Sequence, residues 1–419
     1  VTQLDVTTGG QATGDSRRRR LRDLLVVGYS HSGQHAYVAG IGIAVPFVVS
    51  AFHVSYAVVG LLLAAATMTG SLWQVLAAVV RRTSSRLLLV GQNVGSAVGA
   101  VIGALAPGIG VFFVGRLVQA WSTWPQHPIG AAYLSRRHPS RRGSVLSWHV
   151  TAGNIGTLVA PLAVTAVIAA DGWRWGLWLL AALLASTAVV VAVGLPGAWR
   201  SSDGADATPG QIRSSLHQAW SQFAMLVRQR PVAALLVAGT VAAGGQGIGI
   251  LSVYLPSYLK SDLHFSAFDL GAAMTVVYLG AVIGPVLMGT LSDRVGHRGI
   301  LLINYLLGAI ALLVLIDVGH GVVALAGIGL AVGVFSYSEL SLRQTLFSDY
   351  LDSDAQRAGF GLFFAISQSI GAAWVAIIGI VVTDVGFRAA FVLMAATFAA
   401  AAVIVAVGTR RHLVTPPAP

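Results

Sequence analysis

The sequence predicts an all-α membrane protein, with twelve transmembrane helices arranged as two six-helix pseudo-symmetric halves and both termini cytoplasmic. Three observations carry that expectation. The 419-residue chain is 56% hydrophobic and only 10% charged, where a soluble domain carries about 25% charged residues. Its apolar residues gather into twelve runs, each long enough to cross about 30 Å of hydrocarbon. Its arginines sort by loop, alternate loops being rich and poor in them.

The runs lie near 24–51, 56–80, 86–106, 109–134, 143–169 and 174–195, then 232–257, 267–291, 299–317, 321–347, 358–383 and 388–408. Before the first run stand Arg17 to Arg20 and Arg22. Every second loop after it is again basic, with Arg81, Arg82 and Arg86, then Arg136, Arg137, Arg141 and Arg142, then Arg200, Arg213, Arg228 and Arg230. Arg294, Arg298, Arg357, Arg410 and Arg411 continue the series, whereas the intervening loops hold only Arg174, Lys260 and Arg388. This positive-inside pattern puts both termini in the cytoplasm of a bacterial-type inner membrane. The net charge of +11 is thereby a topology signal and implies no nucleic-acid partner. A cleaved signal peptide is not expected, because the first apolar stretch runs on well past a short hydrophobic region.

Domain organisation follows: residues 1–23 as a disordered basic tail, 24–196 as the N-terminal half, 197–230 as a polar cytoplasmic loop, 231–408 as the C-terminal half and 409–419 as a tail. The halves align with each other. Arg81, Arg82 and Arg86 fall on Asp293, Arg294 and Arg298 at a shift of 212, and Gly172-Trp173-Arg174 on Gly386-Phe387-Arg388 at a shift of 214. Arg142 falls on Arg357, and Ile155-Gly156 on Ile370-Gly371, at a shift of 215. Parallel repeats of this kind hold a ligand between them near the midplane.

Titratable residues at membrane depth are costly and default to functional candidates. Glu339, the only glutamate in the chain, lies in run ten with Arg343 at i+4 on the same face. A structural ion pair and a proton-responsive carboxylate are both open. His31, His127 and His149 lie six or seven residues from the inner ends of runs one, four and five, hence all about 10 Å deep. Equal depth predicts one cluster with rings within roughly 12 Å of one another. His35 sits one turn above His31, and Gln34 and Gln126 are their sequence neighbours. Arg116 and Gln119 share a face of run four. Asn154, Gln246 and Gln368 complete the candidate substrate- or proton-binding set. No metal site or cofactor is expected, since the chain lacks cysteine and no carboxylate neighbours the histidines. Neither a His-Glu-x-x-His nor a Gly-x-Ser-x-Gly motif is present, so no enzymatic role is expected.

Residues 289 to 298 read Gly-Thr-Leu-Ser-Asp-Arg-Val-Gly-His-Arg. This resembles the Gly-x-Leu-x-Asp-Arg-x-Gly-x-Arg loop of the major facilitator superfamily of secondary transporters. The resemblance implies that Gly289, Asp293, Arg294, Gly296 and Arg298 form a conformational hinge, with Asp293 paired to an arginine or a helix N-terminus. The first half departs from the pattern, with Ala77, Arg81 and Ser84 where the family has Gly, Asp and Gly. Arg116-Leu-Val-Gln119-Ala120 resembles a motif of proton-linked exporters, as does Gly153-Asn154-Ile155-Gly156 followed by Ala160-Pro161. Ser30-His31, His127-Pro128 and the Gly-Asn-x-Gly stretch also resemble the fosmidomycin-resistance branch, whose substrate is a small phosphonate. The implied protein is a monomeric, proton-coupled exporter, an antiporter of a small organic and anionic compound or drug. The alternatives are an importer of an organic anion, a metal or metal-chelate transporter and a polytopic membrane enzyme. Its partners would be the small molecule, protons and the lipid bilayer.

Overall fold

The structure is a computed structural model describing residues 9–73, 83–138, 141–196, 221, 224–319, 321–351 and 370–409. The described chain is all-helical, and nine of its helical segments are long and apolar enough to cross a membrane. In chain order the described helices, long and short, run α1 (Gly9–Phe52), α2 (Tyr56–Leu72), α3 (Ser85–Ala104), α4 (Ile109–Ser122), α5 (Gln126–Arg137), α6 (Arg142–Asp171) and α7 (Trp173–Gly194). The second half continues with α8 (Arg230–Ala242), α9 (Ser252–Ser261), α10 (Ala267–Val295), α11 (His297–Asp317), α12 (Val322–Ser348), α13 (Ile370–Asp384) and α14 (Phe387–Gly408). Large apolar side chains such as Val193, Val286 and Val323 stand exposed, as lipid-facing positions require.

Local signals set the ends. Ser84 caps α3 by accepting from Leu87 N at 3.2 Å. Ser266 caps α10 reciprocally, accepting from Asp269 N at 3.1 Å while its hydroxyl donates to Asp269 Oδ2 at 2.7 Å. The expected 289–298 loop is mostly helix: α10 runs to Val295, and α11 starts at His297. Gly296 alone makes the turn, at φ 109°, where a side chain would be strained.

Packing divides the chain into two units, residues 1–41 with 69–207 and residues 42–68 with 208–419. The sequence reading kept 42–68 in the N-terminal half; by contact they belong with the C-terminal one. Tyr56 Oη lies 2.7 Å from Ser261 Oγ, Ala57 N donates to Thr383 Oγ1 at 2.8 Å, and Gly42 leaves no room for a Cβ beside the Ser252 carbonyl.

Two further expectations are corrected. Residues 9–23 are helical rather than disordered, since a long seated helix adds one hydrogen bond for each residue it extends. Asp23, assigned to that tail, is fully buried and accepts from Tyr133 Oη at 3.0 Å and Arg137 Nε at 2.9 Å. The fourth run is also not one helix. Pro125, which has no N–H to donate, ends α4 at Ser122, and α5 restarts at Gln126.

The repeat is visible in equivalent contacts within each unit. Arg86 donates through Nη2 to Ala192 O near the end of α7, while Arg298 donates to Ala406 O at 2.8 Å and to Thr409 Oγ1 at 2.9 Å at the end of α14. Each arginine satisfies carbonyls at the negative end of a helix. Gly172 at φ 92° and Gly386 at φ 104° precede those same two helices.

Candidate functional site

The first unit collects the predicted histidines. His31 stacks on His149 with centroids 4.0 Å apart, and meets His35 at 4.5 Å and His127 at 4.9 Å edge to face. His35 and His127 are 5.9 Å apart. These distances lie well inside the 12 Å reach expected from depth alone. The break at Pro125 positions His127, placing Gln126 and His127 in the first turn of α5. Interrupted helices of this kind line binding sites in secondary transporters.

Glycines on α6 make the cluster sterically possible. A Cβ on Gly153 would sit 2.9 Å from His31 Cε1, and Gly156 lets α6 approach the Ser32 backbone of α1. The Gly-Asn-x-Gly stretch is thus the floor under His31. Asn154 between these glycines is half-buried.

Beside the imidazoles lies a network of amides and hydroxyls. Ser30 Oγ donates to Gln126 Oε1 at 2.9 Å, Asn93 Nδ2 to Ser30 Oγ at 2.8 Å, and Gln34 Nε2 to Asn93 Oδ1 at 2.8 Å. Gln92 Nε2 also donates to Gln126 Oε1, and Ser96 Oγ pairs with Gln34. Gln92, Asn93 and Ser96 were missed; the signal was a polar pair inside the third apolar run. Farther along, Arg116 Nη1 donates to Gln119 Oε1 at 2.8 Å, and its guanidinium lies 5.3 Å from the Tyr37 ring centroid.

The second unit builds a centre of the opposite kind. Glu339 is 0% and Arg343 1% exposed, and Arg343 Nε donates to Glu339 Oε1 at 2.7 Å. Tyr305 Oη donates to the same oxygen at 2.8 Å, and Gln246 Nε2 to Oε2 at 2.8 Å. Gln246 reaches it because the apolar run 232–257 is interrupted: a 3-10 turn at Ala243–Gly245 and a π-turn at Gly247–Leu251 separate α8 from α9. Gly239 on α8 leaves space for the Arg343 guanidinium. Both carboxylate oxygens are therefore occupied by donors, as a buried charge requires.

The hinge residues are placed differently from expectation. Asp293 is mostly exposed, and among the described residues its ion-pair partner is no arginine but His297, whose Nε2 lies 3.3 Å from Asp293 Oδ1 while its Nδ1 lies 2.7 Å from Asp349 Oδ2. His297 stands four positions on from Asp293, just across the Gly296 turn, so its imidazole is within easy reach of the carboxylate. Arg294 is exposed, Gly289 faces open space, and Arg298 serves α14. Gln368 lies outside the described residues, as do Ala77 and Arg81.

The chain is similar to known proteins over most of its length. The Major Facilitator Superfamily profile matches residues 33–258 and 235–419. A putative metabolite transport protein of Haemophilus influenzae is 24% identical over 297 residues, 70% of this chain and 72% of that one. A multidrug resistance protein B homolog of Mycobacterium tuberculosis is 24% identical over 279 residues, 55% of this chain and 51% of that one. The crystal structure of a nucleoside transporter superposes with a TM-score of 0.76 at 12% identity, covering 94% of this chain and all of that one, a likeness that speaks for the fold alone. With its profile spanning both halves and its helices arranged as in a solved transporter, the chain belongs to the Major Facilitator Superfamily of secondary transporters.

Proposed function

We propose that this transporter is a proton-coupled exporter of a small organic, anionic compound, working by alternating access with twelve spans and cytoplasmic termini. The observation that carries the reading is the Glu339–Arg343 pair at zero exposure inside an apolar helix. An ionisable pair is retained at membrane depth where it binds, relays or switches. Arg343 is a ready partner for an anionic substrate, and release of Glu339 from Arg343 gives a carboxylate that can take a proton. Arg116 and Gln119 in the other unit add polar donors, and the 289–298 segment serves as hinge. Similarity to a multidrug resistance protein homolog supports export. Similarity to a metabolite transport protein favours, as the second reading, import of an organic anion.

Transport by the purified chain in liposomes, with and without an imposed pH gradient, tests the proposal. Glu339→Gln keeps the shape and removes the charge. It is expected to abolish gradient-driven transport while sparing substrate exchange without a gradient. Full gradient-driven transport by this variant would place the proton carrier elsewhere.

A further inference from the structure

We infer that the histidine cluster of the first unit is a binding site for a divalent transition-metal ion, with His31, His127 and His149 as ligands. One ring nitrogen of each lies within 4.8 Å of the others. Tetrahedral ligands at about 2.0–2.1 Å from a zinc ion stand about 3.4 Å apart, so small ring rotations close the set.

The hydrogen bonds fix which nitrogen is offered. His31 Nδ1 lies 2.7 Å from the backbone carbonyl of His149. A carbonyl can only accept, so Nδ1 carries the hydrogen and Nε2 keeps its lone pair. Among the described residues that Nε2 is buried with no hydrogen-bond partner, and so are both ring nitrogens of His149. His31 is 2% and His149 3% exposed, so His31 holds one orphaned acceptor and His149 one orphaned acceptor and one orphaned donor in the interior. A buried polar atom without a partner is costly and calls for an occupant that bonds it. A carbonyl holding the far nitrogen of an imidazole is the outer-shell arrangement that orients metal-binding histidines.

His35 is prepared in the same way. The Thr157 hydroxyl donates to Gly153 O at 3.4 Å, leaving its oxygen to accept from His35 Nδ1 at 3.2 Å. With the Thr157 proton on Gly153 O, His35 also presents Nε2, and its ring lies 4.5 Å from that of His31. It stands as a reserve ligand.

The donor set decides the class of ion. Imidazole nitrogens without carboxylate or carbonyl oxygens suit Zn²⁺, Co²⁺, Ni²⁺ or Cu²⁺ and not Mg²⁺ or Ca²⁺. Three neutral imidazoles leave the ion's charge uncompensated at membrane depth, so an anion such as chloride, hydroxide or an oxyanion would fill the open position. The site is independent of which organic compound the transporter carries and in which direction. The sequence alone argued against a metal because no thiolate or carboxylate was at hand; the cluster supplies nitrogen donors instead.

Equilibrium binding of Co²⁺ to the full-length chain, purified in detergent without a polyhistidine tag, is the test. Visible absorption bands report the ligand geometry, and elemental analysis after desalting reports the stoichiometry. The expected result is one tightly held Co²⁺ per chain, displaced by Zn²⁺. His31→Gln, His127→Gln and His149→Gln are each expected to weaken binding by about 100-fold or more, and His35→Gln by about 10-fold. Gly153→Ala changes no ligand but pushes on the His31 ring, and is expected to weaken binding to an intermediate degree. Thermal unfolding in metal-free buffer separates lost sites from lost folding, and His127→Gln, at the exposed member, disturbs packing least. Absence of bound Co²⁺ in the wild-type chain would overturn the inference, as would unchanged binding in the His31, His127 and His149 variants. Neither outcome bears on organic-substrate transport in liposomes.

Discussion

The two polar centres of this transporter are built on the same plan and left in opposite electrical states. Each sits beside an interrupted helix that delivers a glutamine, Gln126 in the first unit and Gln246 in the second. Each has a glycine that clears space for the principal side chain, Gly153 for His31 and Gly239 for Arg343. Around Glu339 every carboxylate oxygen is taken by Arg343, Tyr305 or Gln246. Around His31 and His149, three ring nitrogens are buried with no partner among the described residues. A satisfied centre holds structure until a competitor displaces a partner. An unsatisfied one is paid for only by what it binds.

That contrast can be broken most forcefully at Glu339. Glu339→Ala strands the Arg343 charge in the interior and is expected to cost about 3–5 kcal/mol in unfolding free energy, read by denaturant or thermal unfolding in detergent. A loss under 1 kcal/mol would mean the pair is solvated and the second centre is not closed. The glycine pair gives the next effect. Gly239→Ala presses on a guanidinium pinned by Glu339 and should cost about 1–3 kcal/mol. Gly153→Ala presses on a ring with a spare nitrogen and should cost less, so equal losses would erase the distinction between a fixed centre and an adaptable one.

His149→Phe probes the first centre from the other direction. It replaces a ring with two orphaned nitrogens by an apolar ring of similar shape, and is expected to leave stability unchanged or raise it by about 1 kcal/mol, while metal binding disappears. A further pair of effects belongs to the architecture both halves share. Arg86→Gln and Arg298→Gln each remove charge-assisted bonds to the last turn of a helix and should cost similar amounts, about 1–2 kcal/mol. Unequal losses would show that the repeat is structural in outline only.

The apolar runs marked the nine membrane-length helices among the described residues, because hydrophobic length acts locally along the chain. The histidine cluster was legible for a similar reason: depth along a helix follows from residue count. What lay beyond reach depended on tertiary partners. Nothing near Asp23 announces Tyr133 or Arg137, more than a hundred residues away. Asp293 found His297, the first residue of α11, where the family resemblance pointed to an arginine or a helix N-terminus. The membership of 42–68 in the second unit rests on contacts with Ser261 and Thr383 that no local pattern encodes. The tautomers of His31 and His35 needed a carbonyl and a hydroxyl that only the fold supplies.

The attachment of residues 42–68 to the second unit also has a consequence for biosynthesis. Tyr56 waits for a partner 205 residues downstream, and Ala57 for one 326 residues downstream. At about 5–20 residues per second the ribosome needs roughly 10–65 s to deliver them. During that interval the start of α2 is in the bilayer with its lasting neighbours still unmade, and lipid or an insertion chaperone must stand in for them. A chain truncated after residue 207 should therefore expose this stretch to protease or crosslinker, while the histidine-bearing helices have already found one another.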